Sequence, residues 1–183
     1  MTLRPDGDLW IFGYGSLIWD PGFDPAERVL ARLSGWRRSF CLSSWVHRGR
    51  PDAPGLVLAL DADRAAVCDG VAFRAPKDQA DGILEALRAR ELVTSAYLER
   101  WLPVDLADGR RLTAVTYVID PAHEQYQGGL PLDDQARIIA QAVGGRGPNA
   151  DYLYNTAAHL GDLGLADPQM DDLCARVRAL RPA

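Results

Sequence analysis

Apolar positions change period along the chain, and the changes outline the elements. Leu9 to Phe12 is a short run of bulky, partly β-branched residues that predicts a buried strand; it stops on Gly13-Tyr14-Gly15-Ser16 before Leu17-Ile18-Trp19 resumes. Between Arg28 and Trp45, Val29, Leu30, Leu33, Trp36, Phe40 and Leu42 recur without helical caps and predict one or two bent strands. Gly55 to Leu60 predicts a strand, Asp61 to Arg64 a turn, and Val67 to Phe73 the returning strand of a hairpin. The period then lengthens. Ala80, Ile83, Leu84 and Leu87 recur at three- and four-residue spacing, predicting a helix over 77–91 with Asp78 as its cap and Pro76 just outside. Leu98 to Leu106 and Leu112 to Ile119 flank Ala107-Asp108-Gly109-Arg110, where Asp-Gly signals a second hairpin. From Asp133 onward the stripes are helical: Ile138, Ile139 and Val143, then Leu153, Ala157 and Leu160, then Met170, Leu173, Val177 and Leu180. Gly144-Gly145, Gly147-Pro148 and residues 161–168 separate them. About six strands and four helices, with no repeat or linker, predict one mixed α/β domain over residues 1–183. Its simplest packing is a small curled or barrel-like sheet wrapped by helices.

Composition narrows the class. A chain of 183 residues, 48% hydrophobic and 25% charged, can bury a substantial core. A formal net charge of -5 opposes general attraction to nucleic acid or acidic membrane, although Arg37, Arg38, Arg48 and Arg50 are locally basic. Cys41, Cys68 and Cys174 are odd in number and widely spaced, which argues against a disulfide framework or zinc ribbon and for a reducing cytoplasm. The first eight residues lack an apolar signal core and no later run approaches a membrane span, so neither export nor membrane insertion is expected.

Candidate chemistry begins at the glycine-rich loop. A dinucleotide fingerprint needs glycine where Ile18 stands, a phosphate-binding Gly-Lys-Ser/Thr is absent, and a nucleophile elbow around Ser16 needs glycine at Tyr14 and Ile18. Two readings stay open: a plain tight turn, or a loop whose amides after Gly15 face a ligand. Glu91 lies four residues after Leu87 and seven after Leu84, so a continued helix carries it onto the buried stripe. Desolvation there would raise its pKa toward neutrality, as a general acid/base requires. An ion pair with Arg88 or Arg90, or an exposed position beyond the helix end, fits the same spacing. His47, His123 and His159 show no metal-ligand spacing, and no metal is assigned. Arg37-Arg38 and His47-Arg48 could bind a substrate carboxylate bidentately, with solvated strand-edge charge the simpler reading of any one of them. Asn149 reads as a helix cap, and Tyr126-Gln127-Gly128-Gly129 as a loop.

Taken together, these residues resemble the ChaC-type γ-glutamylcyclotransferase family. The resemblance rests on Phe12-Gly13-Tyr14-Gly15-Ser16-Leu17-Ile18-Trp19, Gly35-Trp36-Arg37-Arg38-Ser39-Phe40, His47-Arg48-Gly49, Pro54-Gly55 before a strand, and Arg90-Glu91 closing the first helix. It continues through Tyr126, Gly128 and Asn149 to Leu153, in family order over residues 9–160. The resemblance implies a six-stranded barrel-like α/β fold and cleavage of glutathione, the small-molecule partner, to 5-oxoproline and cysteinylglycine with no cofactor. It further implies Glu91 as catalytic base and acid, and Tyr14, Gly15, Ser16, Leu17, Arg48, Tyr97 and Tyr126 as substrate-binding residues. The chain departs from the family in one place: Thr94-Ser95-Ala96-Tyr97 keeps a tyrosine but lacks the glycines that usually precede it. The alternatives are the same ring closure on another γ-glutamyl amino acid or amine, and a non-catalytic γ-glutamyl-binding regulatory protein.

Overall fold

Glu27–Ser44 and Gly55–Arg74 run as two long single strands, β2 and β3, in the computed structural model, which describes residues 7–181. The hairpin predicted at Asp61–Arg64 is therefore corrected: the chain passes straight through. Asp61 and Asp69 resemble turn residues but occupy strand positions, because Arg37 Nη2 reaches Asp61 at 2.9 Å and Arg32 Nε reaches Asp69 at 3.0 Å. Opposite charge across neighbouring strands compensates the carboxylates, and the strand continues through them.

These strands close a five-stranded barrel in the order β1-β3-β2-β4-β5, where β1 is Trp10–Gly13, β4 is Tyr97–Leu106 and β5 is Arg111–Ile119. The implied six-stranded count becomes five in the barrel because two expected strands are one. Strands β1 and β3 pair antiparallel from Trp10↔Arg74 to Gly13↔Val71, while β1 meets β5 in parallel at Ile11↔Val115. Strands β4 and β5 form the expected hairpin, from Tyr97↔Ile119 to Asp105↔Arg111, and Gly109 takes the positive φ of +91° that its turn demands. Two short strands, β6 (Val143–Gly144) and β7 (Gly147–Pro148), make a separate ribbon.

Among the described residues there are four α-helices: α1 (Ala80–Glu91), α2 (Leu132–Gln141), α3 (Asn149–Asp162) and α4 (Pro168–Leu180). Helix α1 starts later than predicted, and Asp78 does not cap it; Gln79 holds that position without a side-chain hydrogen bond. Helix α4 has the expected chemistry at its start, Pro168 inside and the Asp167 carboxylate accepting from the Met170 amide at 3.0 Å.

The chain forms two compact units. The first comprises residues up to 38 together with 60–123, and the second comprises 39–59 with 124 onward. In the first, Ile83, Leu84 and Leu87 of α1 pack with Leu9, Ile11, Leu17, Trp101, Val115 and Tyr117 into one core cluster. Each fully buried Leu or Ile there contributes about 1.5–3 kcal/mol. In the second, helices α2, α3 and α4 contact one another, with Ile139, Leu153, Leu160, Leu173 and Val177 buried. Phe40 meets Tyr152 edge-on at 6.0 Å.

Candidate active site

The glycine-rich loop is a tight turn held from three sides. Gly13 ends β1 where an added Cβ would lie 3.1 Å from both Leu17 Cβ and the Phe73 ring, a close approach that glycine makes without pushing either neighbour aside. Ser16–Ile18 form a single 3₁₀ turn, closed by the Ile18 amide on the Gly15 carbonyl at 2.9 Å. The amides of Ser16 and Leu17 lead that turn, ahead of its first internal bond. Tyr14 and Leu17 turn their side chains inward: the Tyr14 hydroxyl donates to the Tyr117 carbonyl at 2.9 Å, and Leu17 joins the core cluster. Arg38 Nε donates to the Tyr14 carbonyl at 2.6 Å. The Tyr14 and Leu17 side chains are thus committed to the interior.

Glu91 is the last residue of α1, and its side chain is 18% exposed. It sits at the margin of the buried stripe rather than inside it, because the helix ends there and Arg90 supplies a counter-charge, with Nε 3.1 Å from Glu91 Oε1. The same guanidinium donates to Ser16 Oγ at 3.0 Å and to the Asp20 carbonyl at 2.7 Å. Arg90 therefore ties the end of the helix, the Glu91 carboxylate and the turn into one assembly. It also lines a cleft of about 620 Å³ with Phe23, Asp24, Gln79, Ile83 and Leu87.

Glu99 and Tyr117 were not singled out by the loop and helix motifs, and Arg88, one of the two expected partners of Glu91, is drawn to the first of them. Arg88 grips Glu99 of β4 with both arms, Nε–Oε2 and Nη2–Oε1 each at 2.7 Å. Tyr117 of β5 is 1% exposed. Burial first, then the Glu99 and Glu91 carboxylates, push its phenol well above the ordinary tyrosine range. The alternation of β4 carries a signal for Glu99: Tyr97, Glu99 and Trp101 share one face, and Trp101 is buried.

Tyr117 yields a pH prediction. The unfolded phenol ionises near its usual value of about 10, while the folded one stays protonated; unfolding above about pH 10 therefore releases a proton, and the stability present below that pH is lost as pH rises. Urea unfolding at pH 9 and pH 11 is expected to show a smaller drop in Tyr117→Phe than in wild type, by about 1 kcal/mol. An equal drop in both proteins refutes the assignment.

Tyr97 opens β4 opposite Ile119 and packs half-buried on the core cluster. Just before it, Ser95 adopts a φ of +58°, the left-handed conformation for which glycine is the natural residue. The backbone thus keeps the glycine-like geometry although the glycines are gone, at a conformational cost. Ser95→Gly is expected to raise stability by about 0.5–1 kcal/mol, the relief of the left-handed strain exceeding the extra chain entropy. A lower urea midpoint in that variant refutes it.

Arg48 and Tyr126 belong to the second unit. Arg48 Nη1 donates to the Arg146 and Pro148 carbonyls at 2.7 and 3.2 Å, and its guanidinium lies 5.5 Å from the Tyr152 ring centroid. Tyr126 forms an antiparallel bridge with Leu42, so the expected plain loop adds a short pairing to β2. Asn149 is corrected from a cap: Pro148 holds the cap position, and the Asn149 amide reaches across the unit to bond Leu56 in both directions at 2.7 Å. Among the described residues no cluster of three or more His, Cys, Asp or Glu could hold a metal ion, and no helix is long and apolar enough to cross a membrane.

The chain is similar to several known proteins. A glutathione-specific γ-glutamylcyclotransferase of Escherichia coli is 39% identical over 181 residues, covering 98% of this chain and 78% of that protein. An Arabidopsis thaliana protein named γ-glutamylcyclotransferase 2-3 is 36% identical, covering 93% and 88% of the two chains. The crystal structure of a yeast γ-glutamyl cyclotransferase specific to glutathione superposes with a TM-score of 0.83 at 25% identity, covering 96% of this chain and all of that one. The ChaC-like protein family model matches residues 9–180, nearly the whole chain and both of its units, so the chain belongs to the ChaC-like family.

Proposed function

We propose that this chain cleaves glutathione to 5-oxoproline and cysteinylglycine, working as a single γ-glutamylcyclotransferase-like domain. The observation that carries the reading is the Glu91 carboxylate held beside Arg90, which also grips Ser16 of the turn. The names of the E. coli and yeast relatives, both specific to glutathione, support the substrate. The family match over residues 9–180 supports a single working domain.

The reaction follows from positions and proton affinities. The backbone of Tyr14, Gly15, Ser16 and Leu17 holds the γ-glutamyl group, and Arg48, Tyr97 and Tyr126 are assigned to the remainder of the substrate. Glu91 removes a proton from the substrate's α-ammonium group, and the freed amine attacks the side-chain carbonyl of the same residue. A new C–N bond closes the five-membered ring while charge develops on the carbonyl oxygen, which the leading amides of the turn stabilise. The C–N bond to the cysteinyl residue then breaks, and Glu91 returns its proton to the departing nitrogen. The ring nitrogen sheds its remaining extra proton, so cysteinylglycine leaves as an ammonium ion and no water is consumed. Holding the substrate folded for an intramolecular attack supplies an effective molarity of about 10⁵ M or more.

Location in the cytoplasm goes with this substrate and with three buried cysteines, Cys41, Cys68 and Cys174, that form no disulfide among the described residues. Incubating the purified chain with glutathione, without added metal or nucleotide, and following both products by mass tests the reading. Both products confirm it. Turnover only of other γ-glutamyl amino acids or amines transfers the same chemistry to those substrates, and binding without turnover establishes the non-catalytic alternative.

A further inference from the structure

Arg88 and Glu91 are three residues apart on α1, the spacing at which helical side chains of opposite charge become neighbours. Arg88 is nevertheless committed elsewhere, with both guanidinium arms on the two oxygens of Glu99, whose side chain is 17% exposed. This fork-to-fork geometry is the strongest form of an arginine–carboxylate pair. It turns Arg88 toward β4 instead of along its own helix.

The groups around Glu91 make that orientation matter. Glu91 lies beside Arg90, which also meets Asp20, and its charge acts on Tyr117 of β5 together with that of Glu99 of β4, which holds Arg88 of α1. Arg90 divides its hydrogen bonds among Ser16 and Asp20 as well as lying beside Glu91, so its charge is shared. A second, unshared guanidinium would hold the Glu91 carboxylate ionised and lower its affinity for a proton. The other carboxylate close to Arg88, Glu85, is exposed, where solvent screening weakens its claim.

We propose that Glu99 is a positioning residue that sequesters Arg88, keeping its guanidinium off Glu91 and so preserving Glu91 as a proton acceptor. The inference rests on the reading of Glu91 as the base.

The test uses the full chain with carboxyl-¹³C glutamate, the Glu91 resonance being assigned by its loss in Glu91→Gln, together with the pH profile of kcat/KM on glutathione. In Glu99→Gln the Glu91 titration midpoint is expected to fall by about 1–3 pH units, and the acid limb of the profile to move the same way. Removing the freed arginine in Glu99→Gln/Arg88→Gln is expected to return both toward wild type. An unchanged midpoint in Glu99→Gln, or a loss of activity that the second substitution does not rescue, overturns the proposal. Should Glu99→Gln fail to fold, Arg88→Gln decides: a midpoint at or above wild type supports sequestration, and a lower one refutes it. The two readings fail separately, because full turnover by Glu91→Gln removes the base assignment while the Glu91 titration still reports on Arg88.

Discussion

Glu91→Gln loses glutathione turnover by about 10²–10⁴-fold while its thermal midpoint stays within a few degrees of wild type. The substitution keeps shape and an acceptor oxygen, so Arg90 retains a partner there in addition to Ser16 Oγ and the Asp20 carbonyl. What disappears is the capacity to take a proton and return it. Removal of a partly exposed charge beside an arginine that keeps two other partners costs little stability, which separates the catalytic effect from a folding effect. Calorimetry of glutathione binding to the same variant completes the measurement, with an affinity within about tenfold of wild type expected. Turnover within tenfold of wild type would show that another group carries the proton.

Asn149→Ala is expected to destabilise the chain by about 2–5 kcal/mol, read as a lower urea midpoint at unchanged slope. Asn149 is completely buried. Its Oδ1 accepts from the Leu56 amide and its Nδ2 donates to the Leu56 carbonyl, both at 2.7 Å, so the side chain pairs with β3 as another strand would. Truncation strands one buried donor and one buried acceptor together. Relaxation is blocked by close backbone packing. A Cβ on Gly55 would lie 2.1 Å from the Arg48 carbonyl oxygen and 2.6 Å from Asn149 Oδ1, and one on Gly144 would lie 2.4 Å from the Gly49 amide nitrogen. A loss below about 1 kcal/mol would mean that water replaces the amide, and the account of Asn149 would be wrong.

How much of this was legible beforehand depended on the distance over which each feature is decided. The stripe Ile83, Leu84 and Leu87 made α1 readable because a helix writes its buried face into neighbouring turns, and Arg90-Glu91 could be placed at its end by counting. Asp108-Gly109 made the β4–β5 turn readable because a left-handed dihedral is a local demand. The continuity of β3 was hidden, since Asp61 looks like a turn residue until Arg37 is brought to it from β2. Asn149 looked like a cap because capping is the local use of asparagine, and its actual partner is 93 residues away. Glu99 was missed, although its place between Tyr97 and Trp101 on one strand face offered a signal, because its grip on Arg88 depends on how α1 lies against β4.

The sequence by itself determined the α/β class, the helical stripes, the β4–β5 hairpin, the glycine-rich loop and the position of Glu91, all of which depend on periods and dihedrals within a few residues. Only the tertiary structure decided that Arg90 joins Glu91 to Ser16, that Arg88 is drawn to Glu99, and that Asn149 completes a strand. In each of these a polar group is satisfied by a partner brought from another element, and no local pattern records which partner arrives.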